Sequence, residues 1–390
     1  MVKGLSRPLN GVRVVELASF VSGPFATMML ADLGADVVKV EPPNGDALRR
    51  FGRSGADMSP LFVNTNRGKR SVVFDLKDPH EIGLLHDLLA DADVLVCNWR
   101  PGVAARMGID DDEIATRNPR LIRVYVTGFG ADGPLSDAPA FDSVIQARLG
   151  WGEAQGDGTS PALAPSYVVD KVAAAMVCQA ALVALFARER LGIADRVDLS
   201  LLDAASYVNF PDVLANRTLI DHQPVGARNR QAAAARFIEA ADGWMVVVPV
   251  TAHQVRRSCA AIGRPGLADE LLAERDATAL TSRLLDELER ATRTGTVDHW
   301  VTVFTDADVP AGPCLDLDGH LADGQVEHSQ LYDVSEWGSL GSVRHIRYPA
   351  VFASWGRLVA IGGPPRIGEH SEEVRDQIAT AARQGTGGLR

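Results

Sequence analysis

Short apolar runs alternate with helically spaced segments through the first half of the chain. Val14–Leu17 reads as a strand interrupted only by Glu16. Pro24–Leu33 follows with helical spacing and ends at Gly34, a C-terminal cap. Asp36–Val40 returns to a strand, so Val14–Val40 has about the ~30-residue length of a βαβ crossover. Ser71–Phe74, Val94–Cys97 and Leu121–Val126 read as further strands, and Glu81–Leu89 as a helix. This alternation predicts an α/β fold around a mainly parallel sheet. A long apolar helix runs from Asp170 to about Arg190, then a strand at Arg196–Leu201. The character changes near Asp221-His222-Gln223-Pro224. Phe237–Val250 reads as a hairpin turning at Asp242-Gly243, followed by helices near Ala252–Ile262 and Ala277–Thr292. The expected organisation is a large domain in 1–223, a smaller α+β domain in 224–315, and a loop-rich return to the large domain in 316–390. The last seven residues, Gln384–Arg390, are expected to fray.

Composition narrows the function classes. With 46% apolar and 23% charged residues, the chain is globular rather than disordered or fibrous. Its net charge of −11 argues against non-specific nucleic-acid binding, which needs a basic face. Cys97, Cys178, Cys259 and Cys314 lie more than fifty residues apart, so neither a metal site nor a redox pair is readable. The N-terminus has no apolar signal region. The charge-free stretch Val172–Ala187 falls short of the ~18–20 residues of a membrane span. The expectation is a cytoplasmic enzyme with no membrane, metal or nucleic-acid partner.

Candidate chemistry gathers at strand ends. The first βα turn, Leu17 to Pro24, offers backbone N–H groups to an anion, with Gly23 relieving backbone strain. Glu41 lies where the ribose-binding acid of a dinucleotide oxidoreductase would stand, but the turn has one glycine where that fingerprint needs three. Arg67, Lys69, Arg70 and Lys77 form one basic cluster, and Arg100 and Arg106 flank a second with Trp99. These read either as solvated faces or as a site for a phosphate-rich ligand with Trp99 stacked on a base. Asp170 reads either as a helix N-cap or as a carboxylate nucleophile. Capping N–H groups would stabilise its anion and dull it, so a nucleophile must be partly free of the helix start. No histidine lies between His86 and His222, and no G-x-S-x-G elbow is present.

Together these pieces resemble a family. Pro8-Leu9-Asn10-Gly11-Val12, Gly23-Pro24 and Leu33-Gly34-Ala35-Asp36-Val37-Val38-Lys39-Val40-Glu41 resemble the opening of class III CoA-transferases. So do Asn66-Arg67-Gly68-Lys69-Arg70-Ser71, Asn98-Trp99-Arg100-Pro101-Gly102, Phe141-Asp142 with Gln146-Ala147, and Gly368-Glu369-His370. The resemblance spans roughly residues 8–375. It implies a Rossmann-like large domain, a small domain and an interlocked homodimer. It also implies transfer of CoA from an acyl-CoA to a carboxylic acid through aspartyl-acyl anhydride and aspartyl-CoA intermediates. The CoA thioester is then a substrate, and no tightly bound cofactor is needed. Position by position, it implies Asp170 as nucleophile and Val21, Ser22, Phe74, Lys77, Asn98, Trp99 and Arg106 as CoA contacts. Phe141 falls beside the reacting acyl group, where the acyl-CoA racemase branch has a histidine, so transfer is favoured over racemisation. A CoA-binding protein without turnover is the remaining alternative. Ala174, Pro43 and the glycine-poor stretch Gly226 to Ala235 depart from the family's pattern.

Overall fold

Val94–Cys97 is buried at every residue, as the central strand of a parallel sheet must be. The computed structural model describes residues 7–52, 58–100, 102–109, 111–156, 159–214, 217–221 and 235–385. Six strands form one sheet: β1 (Arg13–Leu17), β2 (Asp36–Glu41), β3 (Arg70–Val73), β4 (Val94–Cys97), β5 (Ile122–Thr127) and β6 (Arg196–Ser200). Their order is β3-β2-β1-β4-β5-β6 and every pairing is parallel. The order reverses between β1 and β4, where ligands bind in doubly wound sheets.

Alternate residues of each strand feed two cores. Val14, Val37, Val94 and Val96 face one side, under α1 (Ser22–Asp32) and α8 (Val168–Leu191). Val15, Val38, Leu95 and Cys97 face the other, under α3 (Pro79–Ala90) and the C-terminal helix Ser371–Gly385. The helix α8 is long and apolar enough to cross a membrane, yet Ala173, Ala174, Val177, Ala181 and Ala184 pack it into the first core. Small residues let it lie close to α1, and Ala174 is fully buried there.

Gly34 does follow the first helix with φ +106°, the left-handed conformation that glycine takes without strain. The helix α2 (Pro60–Asn66) escaped the periodicity, although Ser59 caps it and Pro60 starts it. The segment after Pro313 is less irregular than expected. Tyr332–Glu336 pairs antiparallel with Ser342–Ile346, and Val374 and Ile378 anchor the last helix one turn apart. That helix runs to Gly385; residues 386–390 lie outside the described residues.

The described chain forms two compact units, one comprising residues up to Asn209 and from Ser329 onward, the other Phe210–His328. In the second, Phe237–Glu239, Trp244–Val247 and Ala311–Pro313 form a three-stranded antiparallel sheet. Helices Ala252–Ala261, Ala277–Thr292 and Val297–Asp306 cover it through Cys259, Leu288 and Phe304.

Candidate active site

The turn between β1 and α1 rests on a buried ionic cluster. Glu16 on β1 receives Lys39 from β2 at 2.6 Å and Lys69 at 2.8 Å, all three fully buried. Lys39 also pairs with Asp46 at 2.9 Å. Burial alone would raise the Glu16 carboxyl, but the two ammonium groups hold it down at about 2. The lysines move in opposite directions. Burial disfavours both cations, yet Lys39 faces Glu16, Asp46 and Glu41 and is raised. Lys69 is lowered to about 8, by burial against the attraction of Glu16 and with added repulsion from Lys39.

This cluster corrects the reading of the first basic patch. Lys69 is consumed by Glu16, and Arg67 by a two-point contact with Asp32. Arg70 lies at the start of β3, paired with Asp36 and Glu373 at the opposite sheet edge. Glu41 is no ribose ligand, because its carboxylate holds Arg49, Ser71 and the Asp46 backbone. The role of Gly23 also differs. Its φ is not positive; instead, a Cβ there would lie 2.4 Å from the Ala18 Cβ. Gly23→Ala is expected to cost about 1–3 kcal/mol through overpacking, read by urea unfolding.

Phe20 is the residue in the unusual conformation, with φ +63°. That conformation costs an L-residue roughly 1–2 kcal/mol. It turns the ring edge-on to Phe141 at 5.3 Å. The neighbouring Ser19 is clamped by Asn98, which accepts its N–H at 3.1 Å and donates to its carbonyl at 2.8 Å.

A cavity of about 440 Å3 opens at the carboxyl ends of β1, β2 and β3. Ser19, Asp46, Phe74, Lys77, Trp99 and Met107 are among its walls. Trp99 also lines a second cavity of about 220 Å3, with Arg100 and Arg196. Phe74, Lys77 and Trp99 are therefore brought together. Asn98 reaches this region through Ser19. Val21 and Ser22 are buried at the start of α1 and line neither cavity. Arg106 is exposed on α4 (Val103–Arg106), also outside both.

Asp170 lies in the first turn of α8, but Tyr167 is the N-cap residue, so the capping role is not its own. Its backbone N–H donates to Asp142 at 3.1 Å. Among the described residues nothing donates a hydrogen bond to its carboxylate. Burial, and then the Asp142 charge, raise its pKa to about 7. Asp142 is buried at the start of α6 (Asp142–Arg148) and accepts from Gln146 one turn on. Gln146 in turn donates to the Ser166 carbonyl at 3.2 Å and accepts the Ala164 N–H at 2.9 Å. The pair thus fixes the approach to α8. Neither residue carries a role in the sequence reading, although both sit in its motifs and their i, i+4 spacing signals a shared helix face. Phe141 stands exposed between Phe20 and Asp142. Burial pushes the Cys97 and Cys178 thiols up to about 12, so neither competes as a nucleophile.

Known proteins share this arrangement of chain. An acetyl-CoA:oxalate CoA-transferase of Acetobacter aceti is 34% identical over 316 residues, covering 80% of this chain and 81% of its own. A succinate–glutarate CoA-transferase of Agrobacterium fabrum is 32% identical over 404 residues, covering 97% and 98%. The orthorhombic crystal structure of Rv3272 from Mycobacterium tuberculosis matches with TM-score 0.83 at 29% identity, over 95% of this chain and 99% of that one. A CAIB/BAIF family protein from Brucella suis matches at TM-score 0.81 and 27% identity, over 96% and 100%. A model of CoA-transferase family III matches residues 9–371. The chain belongs to CoA-transferase family III and is an enzyme of that family.

Proposed function

We propose that the protein moves CoA from an acyl-CoA to a carboxylic acid with Asp170 as covalent nucleophile. The observation that carries this reading is the Asp170 carboxylate: half-buried, without a hydrogen-bond donor among the described residues, and beside a second carboxylate. Such an anion is poorly solvated and correspondingly basic, which favours attack. Its oxygen attacks the thioester carbonyl; a C–O bond forms, the C–S bond breaks, and CoA leaves as thiolate. The thiolate then attacks the aspartyl carbonyl of the mixed anhydride. Aspartyl-CoA forms and the donor acid leaves. The acceptor carboxylate repeats the sequence in reverse, taking CoA and restoring the Asp170 carboxylate.

The cavity at the sheet edge is assigned to CoA, with Lys77 toward its phosphates and Trp99 against its base. Ser19 connects this cavity to the reacting group: Phe20 follows it, touches Phe141, and Asp142 holds Asp170. Trp99→Ala is expected to lower kcat/KM for an acyl-CoA about tenfold, the scale of one lost base stack. A truncated acyl-pantetheine, lacking the nucleotide, should lose little.

The group that faces Asp170 is Asp142, whose two carboxylate oxygens already accept from Gln146 and the Asp170 N–H, which favours transfer over a racemase needing a second proton carrier. Homodimer formation belongs to the same reading. Val183, Phe186, Leu191 and Val208 are exposed apolar residues on α8 and α9 (Leu201–Val213), a face suited to a second copy. The glycine-poor stretch Gly226 to Arg230 with the alanines that follow, up to residue 234, lies outside the described residues.

Mass spectrometry of acyl-CoA and acid pairs tests the function, starting with acetyl-CoA or succinyl-CoA against oxalate and glutarate. The expected result is a new acyl-CoA built on the acceptor. CoA binding without exchange in any pair would point to the non-catalytic reading. Solvent deuterium at the α-carbon without an acid would point to the racemase.

A further inference from the structure

We propose that the buried Glu16–Lys39–Lys69 cluster is a positioning device for the reaction, acting through the turn above it and delivering Phe20 to Phe141. This rests on the reading of Asp170 as the nucleophile. The argument begins with proton counts. Lys69 places its three protons on three acceptors, and Lys39 makes two hydrogen bonds and one further ion pair. Lys39 serves Glu16, Asp46 and the Ala18 carbonyl at 2.8 Å. Lys69 serves Glu16, Asn66 at 2.8 Å and the Pro24 carbonyl at 2.7 Å. Ala18 and Pro24 are the two ends of the turn. One carboxylate, further held by Thr27, therefore ties both ends together.

The middle of the turn is gripped as well. Asn98 binds both backbone groups of Ser19, and Asp46 lies 3.4 Å from the Phe20 N–H. A non-glycine residue persists at positive φ only where its surroundings over-determine it. Here the surroundings are this cluster and its two satellites. The consequence is the Phe20–Phe141 contact, one residue from the carboxylate that holds Asp170.

Stability alone does not account for such a cluster. Buried ion pairs offset their desolvation poorly, and apolar side chains of equal volume often serve as well. The neighbours on these strands, Val15, Val38 and Val40, are already apolar. A polar network whose ammonium groups donate to backbone carbonyls does something an apolar core cannot: it fixes one backbone geometry.

The test compares the triple variant Glu16→Leu/Lys39→Met/Lys69→Met, Phe20→Gly, and their combination. Glycine takes the Phe20 conformation without strain, so that variant keeps the turn and removes only the ring. The measurements are kcat, KM for acyl-CoA and thermal midpoint, with the aspartyl-CoA adduct on wild type as control. Phe20→Gly is expected to lower kcat about tenfold with KM changed less than about threefold. The triple variant should lower kcat at least as much, and the combination should be no worse than the triple, because both act through one contact. Unchanged kcat in Phe20→Gly, or additive losses in the combination, would overturn the proposal. If the triple variant does not fold, Phe20→Gly alone decides. A wild-type enzyme without an adduct on Asp170 overturns the reading beneath the proposal instead.

Discussion

Asp170→Asn is expected to abolish acyl transfer and, at the same time, to stabilise the protein. The first effect follows from chemistry. An amide cannot attack the thioester or carry CoA, so turnover should fall on the order of 10⁴-fold. The second follows from the cost of holding the anion. The folded pKa of about 7 stands above the ~3.9 of an unfolded aspartate. Between these values the folded chain keeps a proton that the unfolded chain releases. Its contribution to stability is therefore complete below about pH 4 and is lost as pH rises through about 7. Above that, the native state carries a half-buried anion with no hydrogen-bond donor among the described residues. Asparagine removes the charge at constant volume. The expected gain is about 1–3 kcal/mol at pH 8 and little at pH 4, read by urea unfolding at both values. A variant less stable than wild type at pH 8 would contradict this account of the carboxylate.

Asp142→Asn carries the second large effect. The nucleophile must be ionised, so kcat/KM should rise with pH through about 7 in the wild type. Removing the Asp142 charge removes the repulsion, and the acid limb should move to lower pH. It should stay above the ordinary carboxylate range, because burial is the larger cause of the shift. The same variant costs positioning. Asp142 accepts from both Gln146 and the Asp170 backbone, whereas an amide places N–H groups against one of those donors. Rotating Gln146 to compensate would oppose its amide to the Ala164 N–H. Turnover at the pH optimum should fall about 10–100-fold. A limb that stays in place would mean that Asp142 does not face the ionising group.

The sheet was legible because parallel strands buried on both faces leave continuous apolar runs, as at Val94–Cys97. Glu16 reads in the sequence as a flaw in such a run. It becomes intelligible only when Lys69, 53 positions later, closes on it. Basic residues look alike in sequence whether solvated or buried, so Arg67 and Lys69 read as one cluster with Lys77, which alone of the cluster lines the cavity. Asp170 stood out through its setting before a long apolar helix and through the family resemblance. Its neighbour Asp142, 28 positions earlier, supplies the repulsion, and that pairing needs the packing of α6 against α8. The left-handed Phe20 has no local signal either, since the clamps that impose it come from β2, from Asn98 just past β4 and from the loop at Asp46.

The central claim is that CoA passes through Asp170. The most direct measurement is to incubate the enzyme with an acyl-CoA, quench with hydroxylamine, digest, and locate the modified peptide by mass spectrometry. Hydroxylamine converts the aspartyl-CoA thioester to a hydroxamate on the carboxyl that carried it, as does its attack on the aspartyl side of the anhydride. The account predicts that mass change on Asp170, dependent on acyl-CoA and absent from Asp170→Asn. Acyl transfer at full rate with the modification on another residue, or on none, would contradict it.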